Sequence, residues 1–151
     1  MSFLNSLNIS GSALTAQRLR LDTISENIAN MNTTRTENGG PYRRKTVVFQ
    51  EIEEGSFQSA LMRASENSRF SRIPQQAGVQ VAEIVEDESP FETVYDPEHP
   101  DADENGYVQM PNVNLLQETI DAMSASRSYE ANVTALNAIK LMASKALEVG
   151  R

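Results

Sequence analysis

The chain has 151 residues and a formal net charge of −8, and its acidic residues are concentrated in the centre. Residues 51–111 hold fourteen Asp and Glu against three Lys and Arg, whereas residues 1–50 hold three against six. Such an acidic centre repels nucleic acid and anionic lipid, so we expect no nucleic acid as a partner. The sequence contains no cysteine, which excludes disulfide bonds and thiol chemistry.

The first residues do not have the features of a cleaved secretory signal, because they lack a basic start and an unbroken apolar run. No stretch approaches the roughly 18 to 20 apolar residues that span a bilayer. We therefore expect no direct membrane insertion. If the chain leaves the cytoplasm, we expect it to use a route without a cleaved signal peptide.

Residues 3–31 are predicted to form a long helix, because apolar residues recur there in a heptad pattern. Ser10 and Gln17 interrupt the pattern, so the apolar stripe is imperfect. An ordinary amphipathic helix packed on its own domain is one interpretation, and contacts with more than one neighbour are the other. The heptad residues expected to pair with a second helix are Leu7, Leu14, Leu21, Ile24 and Ile28.

The central part of the chain is predicted to be a small β-rich region with long loops. The first helix is expected to end near Asn30, and Gly39-Gly40-Pro41 predicts a turn. Short strands are predicted at residues 45–49, 79–85, 91–95 and 107–108, where β-branched and aromatic residues cluster. Residues 51–77 show no sustained periodicity and are predicted to be a variable insertion.

Residues 113–147 are predicted to form a second long helix, with Asn114 and Gln117 resembling a capping box at its start. Glu118 and Asp121 are expected to interact favourably with the positive end of the helix dipole. Two amphipathic helices at opposite ends of a chain are expected to pair with each other, and with another molecule where a stripe is left over. The residues expected to form the pairing face are Leu116, Ile120, Met123, Tyr129, Val133, Leu136 and Leu147.

No constellation of catalytic groups is apparent, so we expect no enzymatic activity. The single histidine, His99, lies in an acidic loop and is expected to be solvated or bonded to a nearby carboxylate. Residues 101–106 match the first six positions of a calcium-binding loop, but Asn112 stands where the twelfth position requires a glutamate. The alternative to calcium binding is a turn in which Asp and Asn side chains bond their own backbone. We expect no metal and no cofactor.

Several sequence runs resemble the bacterial flagellar axial proteins, which are the rod, hook and hook-junction subunits. The N-terminal run is SALTAQRLRLDTISENIANMNT at residues 12–33. The runs GPYRR at 40–44, VYDPEHPDAD at 94–103, GYV at 106–108 and PNVN at 111–114 narrow the resemblance to the proximal rod subunits. SRSYEANV at 126–133 resembles the last helix of the same family. Residues 51–77 match weakly, and Met31 stands where a small residue is common.

The resemblance implies a structural subunit of the proximal rod of the flagellar basal body. It would polymerise helically around the export channel and transmit torque to the hook. The implied fold is mainly α with a small β-rich central region, and its terminal helices pair as an antiparallel-type coiled-coil hairpin. Residues 1–34 and 112–151 would form one coiled-coil core domain. Residues 35–111 would form the central loop and β-rich region, with the insertion at about 51–77.

The resemblance also implies partners and a location. The partners would be other copies of the chain, sibling rod proteins, the rod-base adaptor protein and the flagellar type III export apparatus. The location would be the basal body, in the rod that spans the periplasm. Another rod or hook subunit is the nearest alternative, and a calcium-dependent binding module is the alternative from a different class.

Charge provides a further expectation for the centre. We expect a basic cluster to meet the acidic loop 83–104, within the subunit or on its neighbour, although both could simply be solvated. The residues expected to make these contacts are Arg35, Arg43, Arg44 and Lys45 on one side and Asp96, Asp101 and Asp103 on the other.

Overall fold

The computed structural model describes residues 3–37, 39–52 and 78–149. Apart from its first two residues, the predicted insertion at 51–77 therefore lies outside the described residues. The elements in chain order are α1 (Phe3–Ala29), β1 (Lys45–Glu51), β2 (Val79–Glu86), β3 (Glu92–Tyr95), β4 (Tyr107–Met110) and α2 (Leu115–Val149). Both predicted helices and all four predicted strands are confirmed within a few residues of their expected bounds.

The helix ends agree in part with what their sequences suggest. The side-chain oxygen of Asn114 accepts hydrogen bonds from the backbone N–H groups of Leu116 at 3.0 Å and Gln117 at 3.2 Å, and so caps the start of α2. The Gln117 side chain lies 3.5 Å from a carboxylate oxygen of Asp121 instead of completing a capping box. At the end of α1, the Asn30 side chain donates to the carbonyl of Glu26. No non-glycine residue in the described chain has a positive φ, so α1 ends without an asparagine in the left-handed conformation.

The two helices pack against each other and run in opposite directions. Asn27, near the end of α1, contacts Glu118 in the first turn of α2, while Arg20, two turns earlier in α1, contacts Asp121 further along α2. Ala125 is completely buried in this interface, which allows the two backbones to approach closely. Among the described residues, neither helix contains an apolar segment of the length that a bilayer requires.

The strands form two separate antiparallel pairs. β1 pairs with β2, with an irregularity in the register between Val48 and Phe49, and β3 pairs with β4. Gly106 has a φ of 81°, which the turn before β4 requires, and a Cβ there would lie 3.0 Å from the ring of Tyr95. Most strand residues are exposed, so the central region buries little apolar surface by itself. A mainly α fold with small β elements is the result.

We expect Asn114→Ala to lower the free energy of unfolding by about 1 kcal/mol, because two N–H groups at the start of α2 lose their acceptor. Thermal unfolding of the full chain followed by circular dichroism measures the change as a lower midpoint. Asn137→Ala, at an exposed position in the middle of α2, is the matched control and should leave the midpoint unchanged or slightly higher. Equal midpoints for the two variants would contradict a capping role for Asn114.

Candidate assembly surfaces and the polar junction

The face of α2 that meets α1 is mostly small and polar. Glu118 and Ala125 are completely buried. Asn132, Leu136 and Ile139 are half-buried further along the helix. Glu118, Ala125, Asn132 and Ile139 recur every seven residues, so the inward face keeps a heptad spacing.

Four large apolar residues that were expected to pair with α1 are exposed instead. Leu116 is 71 % exposed, Ile120 and Met123 are each 52 % exposed, and Leu147 is 77 % exposed. Within the subunit these four side chains therefore bury little surface against α1. Leu116, Ile120 and Met123 lie on the side of α2 opposite Glu118 and Ala125, as helical spacing requires. Their role in assembly stays a prediction.

The remaining α2 residues of the expected pairing face lie nearer to α1. Val133 and Leu136 are half-buried, and Tyr129 is 37 % exposed, at the edge of the interface. Leu147 is on the inward side by helical spacing, but α2 has 35 residues and α1 has 27, so α1 does not extend far enough to cover it. The uncovered end of α2 is therefore apolar on more than one side.

The inward face of α1 is also more polar than its heptad pattern predicts. Ile24 is buried, whereas Leu7, Leu14, Leu21 and Ile28 are half-buried at the side of the interface. Small or polar residues of α1 occupy much of the centre of the helix interface. The buried hydroxyl of Thr23 donates to the carbonyl of Leu19 in the same helix, so it is not left unpaired. The other buried residues of α1 are Ser10, Ala16, Thr23 and Asn27.

Asn27 is the centre of a polar junction, which we define as Asn27, Tyr42, Arg44 and Glu118. The side-chain oxygen of Asn27 accepts from the Tyr42 hydroxyl and from the backbone N–H of Lys45, both at 2.9 Å. Its side-chain nitrogen donates to the Lys45 carbonyl at 2.9 Å and to a Glu118 oxygen at 3.0 Å. All four hydrogen bonds of the amide are thus made, and the junction joins α1, the start of β1 and α2.

Arg44 neutralises the buried carboxylate of Glu118. Its Nε donates to Glu118 Oε1 at 2.6 Å, and the Glu118 side chain is 1 % exposed. The same guanidinium lies 3.4 Å from Asp121 and 3.7 Å from Asp87. Arg20 of α1 also reaches Asp121, at 3.4 Å. Glu118 lies in the first turn of α2, as expected, and a buried ion pair holds its carboxylate in addition.

The pKa values of Tyr42 in the junction and of Asp87, which lies 3.7 Å from Arg44, are shifted from their ordinary values. Burial, together with the nearby negative charges of Glu26, Glu118 and Glu86, raises the pKa of Tyr42 to about 12. Hydrogen bonds from the Ser89 side chain and backbone, with smaller contributions from Arg44 and Arg43, lower the pKa of Asp87. These shifts widen the pH range over which Tyr42 stays neutral and Asp87 stays charged.

The expected charge contacts of the centre form in part within the subunit. Arg35 lies 3.6 Å from Asp101, and the Lys45 amine lies 2.5 Å from a Glu26 oxygen in α1. Arg43 stacks on Phe91 at 4.3 Å and donates to the Asp87 carbonyl at 3.1 Å. Asp96 accepts from the N–H of Glu98 at 3.2 Å, so its carboxylate stabilises its own loop. Contacts between subunits stay a prediction for all of these residues.

The loop that resembles a calcium site forms a turn. The carboxylate of Asp103 accepts from the backbone N–H groups of Asn105 and Tyr107, both at 2.9 Å. Asp101 accepts from the Thr34 hydroxyl at 2.8 Å, which joins this loop to the segment after α1. No cluster of His, Asp and Glu with metal-binding geometry occurs in the described ranges. The geometry is that of aspartate side chains bonded to their own backbone.

Glu118→Gln should lower the free energy of unfolding by about 3 kcal/mol, because the partly buried guanidinium of Arg44 loses its closest countercharge. Glu26→Gln is the matched control, since its ion pair with Lys45 is more exposed and should contribute less than about 1 kcal/mol. Urea unfolding at neutral pH separates the two outcomes. Equal losses for both variants would show that the junction does not stabilise the helix pair.

Tyr42 should make stability depend on pH in the alkaline range. Its folded pKa of about 12 lies above the ordinary value of 10.0, so the contribution is complete below pH 10 and is lost as the pH rises towards 12. Tyr42→Phe should remove this loss while costing about 1 kcal/mol at neutral pH through the missing hydrogen bond to Asn27. Urea unfolding at a series of pH values tests both statements, and an unchanged alkaline slope would contradict them.

Comparison with known proteins shows matches at both ends of the chain and over its whole length. Residues 7–35 match the family model described as flagella basal body rod protein. Residues 104–149 match the model described as flagellar basal body rod FlgEFG protein C-terminal. These two segments contain most of α1 and α2.

Curated relatives cover the chain from end to end. It is 53 % identical to the flagellar basal-body rod protein FlgC of Bacillus subtilis, with all of both chains aligned. It is 43 % identical to FlgC of Borreliella burgdorferi over 99 % of this chain and 98 % of the relative. It is 42 % identical to FlgC of Salmonella typhimurium over all of both chains. The chain therefore belongs to the FlgC family of structural rod proteins of the bacterial flagellar basal body.

Proposed function

We propose that this protein is a subunit of the proximal rod, which polymerises helically around the export channel and transmits torque to the hook. In this proposal residues 1–34 and 112–151 form one core domain in which the helices pair as an antiparallel coiled-coil hairpin. Residues 35–111 form the central region outside that core. The role is structural, without catalysis or a cofactor.

The outward face of α2 is the observation that supports polymerisation. Leu116, Ile120 and Met123 are more than half exposed near its start, and Leu141 and Met142 are more than 60 % exposed near its end. A subunit that leaves these side chains in water gains stability when a neighbour covers them, at roughly 25 cal/mol per Å² of apolar surface. A polymer supplies such neighbours to every subunit.

The proposed partners follow from this surface and from the family. Other copies of the chain, sibling rod proteins and the rod-base adaptor protein would share the outward face of α2. The subunit would reach the periplasm-spanning rod through the flagellar type III export apparatus. Contacts between charged loops would add to the interface, with Arg35, 78 % exposed, and the exposed Asp96 and Asp103 as candidates.

The proposal can be tested in a strain that lacks the gene. The strain is compared with the same strain carrying the wild-type gene, the Ile120→Asp variant or the Thr134→Asp variant. The strain itself and the Ile120→Asp strain should be non-motile, with basal bodies that stop before the rod is complete, because an exposed apolar contact becomes charged. Electron microscopy of isolated basal bodies and a swimming assay measure the outcome.

Thr134→Asp is the control. It places the same charge on α2 between the exposed apolar residues near its start and those near its end, and it should permit motility. Circular dichroism of both purified variants should match the wild type, since both positions are exposed. Complete rods in the strain that lacks the gene would overturn the proposed function. Complete rods in the Ile120→Asp strain alone would show that the outward face of α2 is not an assembly surface.

A further inference from the structure

We propose that the polar junction selects which side of α2 faces α1, and that it thereby keeps the N-terminal patch uncovered within the subunit. The N-terminal patch is defined as Leu116, Ile120 and Met123. Without the junction, the same sequence would also allow a turned setting, in which α2 is rotated by about half a turn about its own axis and buries this patch against α1. The inference rests on the proposed function, because it concerns how the subunit presents a surface for assembly.

The apolar side of α2 changes along the length of the helix. The N-terminal patch lies opposite Glu118 and Ala125, both of which are completely buried. The distal face, defined as Val133, Leu136 and Ile139, is half-buried on the side that faces α1. These two apolar groups therefore point in opposite directions. Because α2 is one continuous helix, it cannot turn both of them towards α1 at once.

Burial of apolar surface does not by itself distinguish the two settings. The observed setting covers the three side chains of the distal face, whereas the turned setting would cover three side chains of similar size in the N-terminal patch. At the start of α2, the observed setting buries Glu118 and Ala125 in place of larger apolar residues. An interaction other than the hydrophobic effect must therefore favour the observed setting.

The polar junction provides this interaction, because its bonds to α2 form only in the observed setting. Arg44 Nε donates to Glu118 Oε1 at 2.6 Å, and the side-chain nitrogen of Asn27 donates to Glu118 Oε2 at 3.0 Å. In the turned setting Glu118 would point away from both donors. A buried polar group contributes little net stability when it is fully bonded, but it strongly disfavours any arrangement that leaves it unpaired.

The donors of the junction are held in place by contacts that do not involve α2. The side-chain oxygen of Asn27 accepts from the Tyr42 hydroxyl and from the backbone N–H of Lys45, both at 2.9 Å. Arg44 directly precedes Lys45 in the chain. The end of α1 and the approach to β1 thus position both donors together, and the rotation of α2 decides whether Glu118 reaches them.

Joint replacement of the ion pair tests the proposal. The apolar-junction variant carries Arg44→Met together with Glu118→Leu, so it removes both charges and leaves neither of them buried alone. Lys45→Met together with Glu26→Leu is the matched control. It also replaces a basic residue and a glutamate, but at an ion pair that is more exposed.

Single cysteines report which side of α2 faces α1, because the natural chain has no cysteine. Ala125→Cys places a thiol on the buried side, and Thr134→Cys places one at an exposed position on the outward side. In the otherwise natural chain and in the control, a maleimide should label Thr134→Cys rapidly and Ala125→Cys slowly. In the purified apolar-junction variant the order should reverse, with each rate changed by about tenfold.

A second set of changes separates a turned helix pair from an unfolded one. Leu116→Gln, Ile120→Gln and Met123→Gln, added to the apolar-junction variant, remove the competing apolar surface. Ala125→Cys should then react slowly again and Thr134→Cys rapidly, and failure to restore this order would overturn the proposal. An unreversed order in the apolar-junction variant would also overturn it. Rapid labelling of both thiols there would do the same, because the junction would then be required for pairing itself.

Motility distinguishes failure of this inference from failure of the proposed function. Cells that carry the apolar-junction variant should not complete their rods, since the N-terminal patch would be covered by α1, whereas cells that carry the control should swim. Complete rods with the apolar-junction variant would overturn the inference that the junction keeps this surface available for assembly. Complete rods in the strain that lacks the gene would overturn the proposed function instead.

Discussion

The burial of one carboxylate organises the helix pair. Glu118 is completely buried between α1 and α2, and a charge in that position is tolerated only with a countercharge and hydrogen-bond donors in place. Arg44 supplies the charge and Asn27 the amide donor. Because these two residues come from different segments, α1, the approach to β1 and α2 must all be positioned before the carboxylate is satisfied. The orientation of α2 about its own axis follows from this requirement.

That orientation also determines which surface remains for other molecules. With Glu118 and Ala125 turned inward, Leu116, Ile120 and Met123 are turned outward. A helix pair built on its largest apolar residues would have a stronger seam but no apolar surface left over. Here most of the fully buried side chains between the helices are small or polar, and much of the bulky apolar surface of α2 is exposed. The subunit is thus poorly suited to remain alone and well suited to pack against neighbours.

Sequence periodicity was sufficient for the elements but not for the faces they bury. The bounds of both helices, the four strands, the Asn114 cap and the glycine turns follow from local patterns whose physical causes are local. The inward face of α2 does not follow from local patterns. Hydropathy ranks Leu116 and Ile120 above Ala125, and it contains no information about which residue neutralises Glu118. The countercharge of Glu118 is Arg44, a basic residue near the start of a strand. Sequence alone does not reveal their pairing, because the two positions are 74 residues apart. The charge contacts were anticipated in part for a similar reason, since sequence indicates opposite charges but not which carboxylate is within reach.

The distance along the chain between Asn27 and Glu118 has a kinetic consequence. Their hydrogen bond joins residues 91 positions apart, so closing it requires nearly the whole polypeptide to be present. For a chain that emerges from a narrow passage with its N-terminus first, α1 can bind Tyr42 and Lys45 early but lacks its helical partner until α2 has also emerged. The same long-range closure that slows folding in free solution would keep the leading helix available, for most of its passage, to surfaces other than its own C-terminal half.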